Sequence, residues 1–210
     1  MKPLPFCLIA AALALGGCNV LPAPQSDPTR YFVLSNPSDL TAPGARAGGS
    51  EAKGLRVGLR TVHVASYLDA PEMVVRRGSN EIELSEFNRW GESLDAGITR
   101  ILREQLGAAP AVAEVVTQPF PLATDLDYVI EVDVLHCEGS TGGPAGRSAR
   151  FEAVIRITTD RGQAQLVVRK VFSAPALSWD GRSYGDLAAD LSQDVAELGR
   201  EIIASLPPPS

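Results

Sequence analysis

The chain has 210 residues, of which 45% are hydrophobic and 21% charged, and its formal net charge is −6. That length and balance describe one folded domain whose core is large enough to need neither metal nor disulfide. The negative charge and the 6% aromatic content argue against nucleic-acid binding, which asks for a basic stripe or an aromatic stacking platform.

Residues 1–18 read MKPLPFCLIAAALALGGC. Lys2 is the positive n-region. The apolar run from Leu4 to Leu15 has the length of a secretory h-region and is too short to span a bilayer. It ends in Leu15-Gly16-Gly17-Cys18, which resembles the bacterial lipobox. The expected signal peptide is therefore 1–17, and the mature chain begins at Cys18 with a diacylglyceryl group on sulfur and an acyl chain on nitrogen. Each buried methylene contributes about 0.8 kcal/mol, so one chain binds reversibly and several anchor permanently. Asn19 stands where an Asp would favour inner-membrane retention. The expected location is the outer membrane, on its periplasmic face. Cys7 leaves with the signal and Cys18 is acylated, so Cys137 is the one thiol left, and it is expected to be buried.

Residues 18–29 are the acylated end and a proline-containing tether, and 30–206 are the expected domain, followed by a Pro-rich tail at 207–210. Tyr31-Phe32-Val33-Leu34 reads as a docking strand, and 36–54 as a flexible Gly/Ala/Pro/Ser stretch. Leu55, Val57, Leu59 and Thr61 alternate with polar or small residues. Met73–Arg77 and Glu81–Phe87 flank Gly78-Ser79-Asn80, a hairpin signal. Leu94, Ile98, Ile101, Leu102 and Leu106 share one helical face, with Gly107 and Pro110 as the stop.

Val112–Thr117 predicts a short strand, and the runs at Tyr128–Val134, Phe151–Thr158 and Leu166–Phe172 predict an antiparallel meander with one polar face. The Gly-rich segment Glu138–Ser148 between two of these runs reads as a flexible connection. Leu187, Leu191, Val195, Leu198 and Ile202 mark a terminal helix, capped by Ser183 with Asp186 three residues on. The fold class is α+β, with an antiparallel or mixed β-sheet and two amphipathic helices on one face.

The residue patterns of metal and dithiol catalysts are missing. The sequence has no HExxH or CxxC, and its two histidines, His63 and His136, both continue strand alternations. No metal site and no cofactor beyond the Cys18 lipid are expected. Carboxylate pairs at Glu81/Glu83, Asp125/Asp127 and Glu131/Asp133 read as solvated strand faces or turn chemistry. Arg89-Trp90 before the first helix and Trp179 before the last are left as either core anchors or partner contacts.

The order of these segments resembles the ABC-type transport auxiliary lipoprotein family, which includes PqiC/YmbA-type lipoproteins. The resemblance runs through the lipobox, Tyr67-Leu68-Asp69-Ala70-Pro71, Phe87-Asn88-Arg89-Trp90-Gly91-Glu92-Ser93-Leu94, the meander and the terminal helix. It implies a non-enzymatic docking component of an MCE-type system for intermembrane phospholipid traffic. The implied partners are a periplasm-spanning MCE-domain protein and its inner-membrane transporter, and a homo-oligomer is left open. By the same resemblance Tyr67, Leu68, Asp69, Pro71, Arg89, Trp90 and Leu94 are family-motif positions, either packing or touching a partner. Two other readings make different structural demands. A lipid carrier needs an apolar cavity between helix and sheet, and an envelope-tethered hydrolase needs a concave site with two perturbed carboxylates.

Overall fold

Alternating apolar residues from Tyr128 onward become the longest strands among the described residues. The computed structural model describes residues 26–36, 54–122, 124–143 and 146–208. In chain order they form β1 (Arg30–Phe32), β2 (Leu55–Leu59), β3 (His63–Val64), a single 3₁₀ turn (Ser66–Leu68), β4 (Glu72–Arg77) and β5 (Glu81–Trp90). Then come α1 (Leu94–Ala108), β6 (Val112–Thr117), β7 (Tyr128–Gly143), β8 (Gly146–Thr159), β9 (Leu166–Ser173) and α2 (Tyr184–Ser205).

β7 is the spine of one mixed sheet. Along one edge it pairs antiparallel with β8, and β8 with β9, which is the expected meander. Its other edge is shared in succession by three parallel strands: β2 at Tyr128–Ile130, β3 at Asp133–Val134 and β4 at Gly139–Thr141. From there the sheet branches. β6 joins β2 in parallel, while β5 joins β4 antiparallel and β1 joins β5 in parallel. The sheet is thus mixed, and the fold is α+β.

Both helices bury the stripe their periodicity announces. Leu94, Ile98, Ile101, Leu102 and Leu106 of α1 join Leu187, Leu191, Val195, Leu198 and Ile202 of α2 in one core with Ile130, Val132, Ala153, Ile155 and Ile157 of the sheet. Each such aliphatic side chain contributes roughly 1.5–3 kcal/mol by leaving water. The helices touch where Gly199 of α2 lies under the side chain of Gln105 of α1, since a Cβ there would overlap Gln105 Oε1. Ser183 caps α2 as expected, its hydroxyl accepting the Asp186 N–H at 3.3 Å. Ser93 precedes α1 without a side-chain cap.

The Gly-rich segment is not the flexible connection expected of it. β7 runs through to Gly143 and β8 starts at Gly146, so the segment is the far half of the long hairpin. Glycine is needed there for space. The ring of Trp179 lies over Gly139, where a Cβ would sit 2.6 Å from Cζ3. A register slip between Val134 and His136 displaces Leu135 and exchanges the faces of β7. Before it, Ile130, Val132 and Val134 point into the helix-covered core; after it, Cys137 does so, as its burial and its proximity to Asp194 of α2 show.

Candidate functional site

The two motif segments meet because the β4–β5 hairpin is irregular. From Arg77↔Glu81 to Val74↔Leu84 the hairpin keeps one register, which would set Glu72 opposite Glu86. The ladder slips instead, and Glu72 faces Arg89. An Asn88 amide that donates to the Ser85 hydroxyl at 2.8 Å spans the extruded residues. A like-charged pair is replaced by an ion pair, Arg89 Nη2 to Glu72 Oε1, at 3.4 Å. The slip also carries Trp90 back to Pro71, whose carbonyl accepts the Trp90 N–H at 2.6 Å.

The result is an open cleft of about 310 Å³. Its walls come from 68–71 and 90–94, so Leu68, Asp69, Pro71, Trp90 and Leu94 line one feature. Leu68, Trp90 and Leu94 are buried and form its apolar side; Asp69, Pro71 and Ser93 are exposed at its rim. Glu92, also lining it, is held by Arg100 at 2.6 Å, and Arg100 reaches on to the Leu34 carbonyl at 2.8 Å. This clamp ties the cleft to the segment after β1, whose Phe32 carbonyl accepts the Gly91 N–H at 2.7 Å. The lining holds no His, Cys or Lys. Its chemistry is that of a surface offering an apolar floor, two carboxylates and backbone polar groups to a bound segment.

Tyr67 lies behind the cleft wall, in a polar cluster that the sequence reading missed. Its hydroxyl is 2.9 Å from the Leu135 carbonyl and 3.0 Å from His136 Nδ1. Glu138, with no exposed side-chain surface, accepts from Arg76 Nε at 2.5 Å and lies 3.1 Å from His136 Nδ1. Arg76 also stacks over the Tyr67 ring, 5.2 Å from its centre. Burial and then Glu138 push the Tyr67 phenol above its ordinary pKa, and Glu138 raises that of Arg76. Glu138 Oε2 is buried without a hydrogen-bond partner. The one sequence signal was that His136 and Glu138 keep the alternation going into the Gly-rich segment. The cluster pins the 3₁₀ turn, and hence the cleft wall, to the spine of the sheet.

Trp179 lies apart from the cleft. It is buried, its Nε1 donates to the Ser183 carbonyl at 2.7 Å, and Tyr184 meets its ring edge-on at 5.6 Å. Cys137 is fully buried, as expected, and burial raises its thiol pKa, with Asp194 and Glu138 adding to the shift. Members of each carboxylate pair are engaged: Asp127 accepts the Arg56 N–H at 2.8 Å and meets Arg161 at 2.6 Å, Arg156 pairs with Glu131 and Asp133, and Glu83 pairs with Arg77. Among the described residues no cluster of His, Cys, Asp and Glu is placed to hold a metal. No helix among them is long and apolar enough to cross a membrane. Cys18, the signal segment and most of the 36–54 stretch lie outside the described residues.

A family model described as the ABC-type transport auxiliary lipoprotein component matches residues 33–203. Two solved structures share the fold. One is a crystal structure of a DUF330-family protein from Xanthomonas campestris, 16% identical, covering 73% of this chain and 86% of that one, with a TM-score of 0.62. The other, of an uncharacterized protein, is 17% identical, covers 85% and 99%, and has a TM-score of 0.63. No curated protein matches the sequence.

Proposed function

The chain belongs to the family of ABC-type transport auxiliary lipoprotein components, and from that premise we propose that it is a docking component of an MCE-type system moving phospholipid between membranes. Cys18 would carry the acyl anchor and hold the domain at the periplasmic face of the outer membrane. The observation that carries the docking role is the convergence of 68–71 and 90–94 in one open cleft. Two stretches some twenty residues apart are brought together by a register slip and locked by an ion pair and a short backbone bond. The floor is apolar and the rim polar, the ordinary anatomy of a protein contact. The role is binding, not turnover. The carrier reading fares less well, because the layer between helices and sheet is filled by side chains such as Ile98, Leu102, Leu191 and Leu198, which have no exposure.

Photo-crosslinking in cells tests the proposal. A crosslinking residue at Asp69 or Ser93, on the cleft rim, should capture an MCE-domain or transporter subunit, identified by mass spectrometry. A crosslinker at Gln193, exposed on α2, should not. Cys18→Ala should abolish membrane placement and capture together. Equal capture from all three positions, or none from the rim, would overturn the docking role.

A further inference from the structure

A second cleft, of about 220 Å³, opens where the ends of β4 and β7 meet β8 and the loop before α2. Three arginines from distant parts of the chain line it: Arg77 in β4, Arg147 in β8 and Arg182 just ahead of α2. One carboxylate, Glu83, lines it with them and is already paired to Arg77. Asp180 lies close by: its Oδ1 accepts the backbone N–H groups of Arg182 and Ser183 at 2.7 and 2.8 Å, and the charges of Arg182 and Arg147 add to what holds its carboxyl below the usual range. Neither Arg147 nor Arg182 has a carboxylate within ion-pair distance among the described residues.

Arg147 is held in place rather than left to wander. Its side chain crosses Gly181, whose Cβ would come within 3.0 Å of Cδ and 3.2 Å of Nε, and Gly181 has φ +79. One Nη donates to the Asp180 carbonyl at 3.3 Å. Thr141 and Tyr184 add hydroxyl-bearing side chains to the lining. In a chain of net charge −6, three guanidinium groups set against two carboxylates, Glu83 and Asp180, leave this small cleft locally positive, and an anion bound there meets that charge. Guanidinium forks match the paired oxygens of a phosphate better than a point charge does.

We propose that this cleft binds a phosphate group, either as the phosphodiester of a lipid headgroup or as the free inorganic anion. The site shares no residue with the docking cleft and does not depend on that reading. The test is isothermal titration calorimetry at low ionic strength, where screening is weak. It uses the mature acylated chain in uncharged detergent, titrated separately with inorganic phosphate and with glycerophosphoglycerol, the deacylated headgroup of phosphatidylglycerol.

Saturable binding of at least one probe is expected. Arg147→Gln with Arg182→Gln should weaken it about ten-fold or more, while Arg150→Gln, outside the cleft, should leave it unchanged. Both altered arginines are exposed, and an unchanged urea midpoint confirms the fold. Tighter binding of the diester assigns the site to a lipid headgroup; equal or tighter binding of phosphate assigns it to the free anion. No saturable binding of either probe by the unmodified chain, or unchanged binding by the double variant, overturns the site.

Discussion

Trp179 occupies the space that a side chain at Gly139 would fill: a Cβ there would lie 2.6 Å from Cζ3 and 3.1 Å from Cε3 and Cη2. The indole cannot retreat freely, because Nε1 is bonded to the Ser183 carbonyl at 2.7 Å and the Trp179 N–H to the Arg147 carbonyl at 3.1 Å. Gly139→Ala in an open strand would stabilise by about 0.4–1 kcal/mol through the unfolded chain. Here overpacking decides the sign, and Gly139→Ala should destabilise by roughly 1–3 kcal/mol. Urea unfolding followed by tryptophan fluorescence reads it. A double-mutant cycle with Trp179→Leu should recover part of the loss, and strict additivity would contradict the contact.

Glu138 has no exposed side-chain surface, and Arg76 has little. Glu138→Gln keeps the shape but leaves a nearly buried guanidinium without its counter-charge, which costs about 3–5 kcal/mol. Tyr67→Phe removes one hydroxyl from the same cluster and should cost about 1 kcal/mol. Both changes should raise amide hydrogen exchange at Leu68–Ala70, the cleft wall, more than at the hairpin turn Gly78–Asn80. Unchanged exchange at 68–70 would show that the cluster does not hold the wall.

These two neighbourhoods show what a linear reading can and cannot reach. The stripes of α1 and α2, the Gly78-Ser79-Asn80 turn and the β7–β8–β9 meander follow from local periodicity, and all are present. The displaced Leu135 leaves no local mark, yet it sets which side of β7 Cys137 and Glu138 occupy. The hairpin was legible, but not the slip that replaces Glu86 by Arg89 opposite Glu72 and so builds the cleft. Glycines at 139, 142 and 143 look like a linker until a tryptophan some forty residues later is placed against one of them. Such long-range packing overrides the local preference of glycine for turns.

Ser183 begins the longest helix among the described residues, and its hydroxyl satisfies the Asp186 N–H at 3.3 Å. Asp180 steadies the same turn by accepting the Ser183 and Arg182 N–H groups, which hold its carboxyl below the usual pKa. Ser183→Ala should cost about 1 kcal/mol, and Ser183→Asp should restore most of it, since a carboxylate both accepts the bond and meets the positive helix end. Thermal melting compares the three chains at one pH. Equal midpoints would show that the cap contributes nothing.

Asp194 lies on the inner side of α2 with 1% of its surface exposed, and its Oδ2 has no hydrogen-bond partner. Burial, with Glu197 and Asp190 on neighbouring turns, pushes its carboxyl up to about 7. An unfolded aspartate titrates near 3.9, so between about pH 4 and pH 7 the folded state holds a proton that the unfolded state has released. Stability through this group is therefore highest below pH 4, falls as pH rises towards 7, and is lowest once the carboxylate is ionised in both states. The slope is at most about 1.4 kcal/mol per pH unit for one proton. Asp194→Asn cannot ionise and should remove this fall. The variant should gain stability over the unmodified chain as pH rises from 5, with the difference growing up to about pH 7 and levelling off above it. Urea midpoints at each pH measure it; a difference independent of pH would mean that Asp194 titrates alike in the folded and unfolded chains.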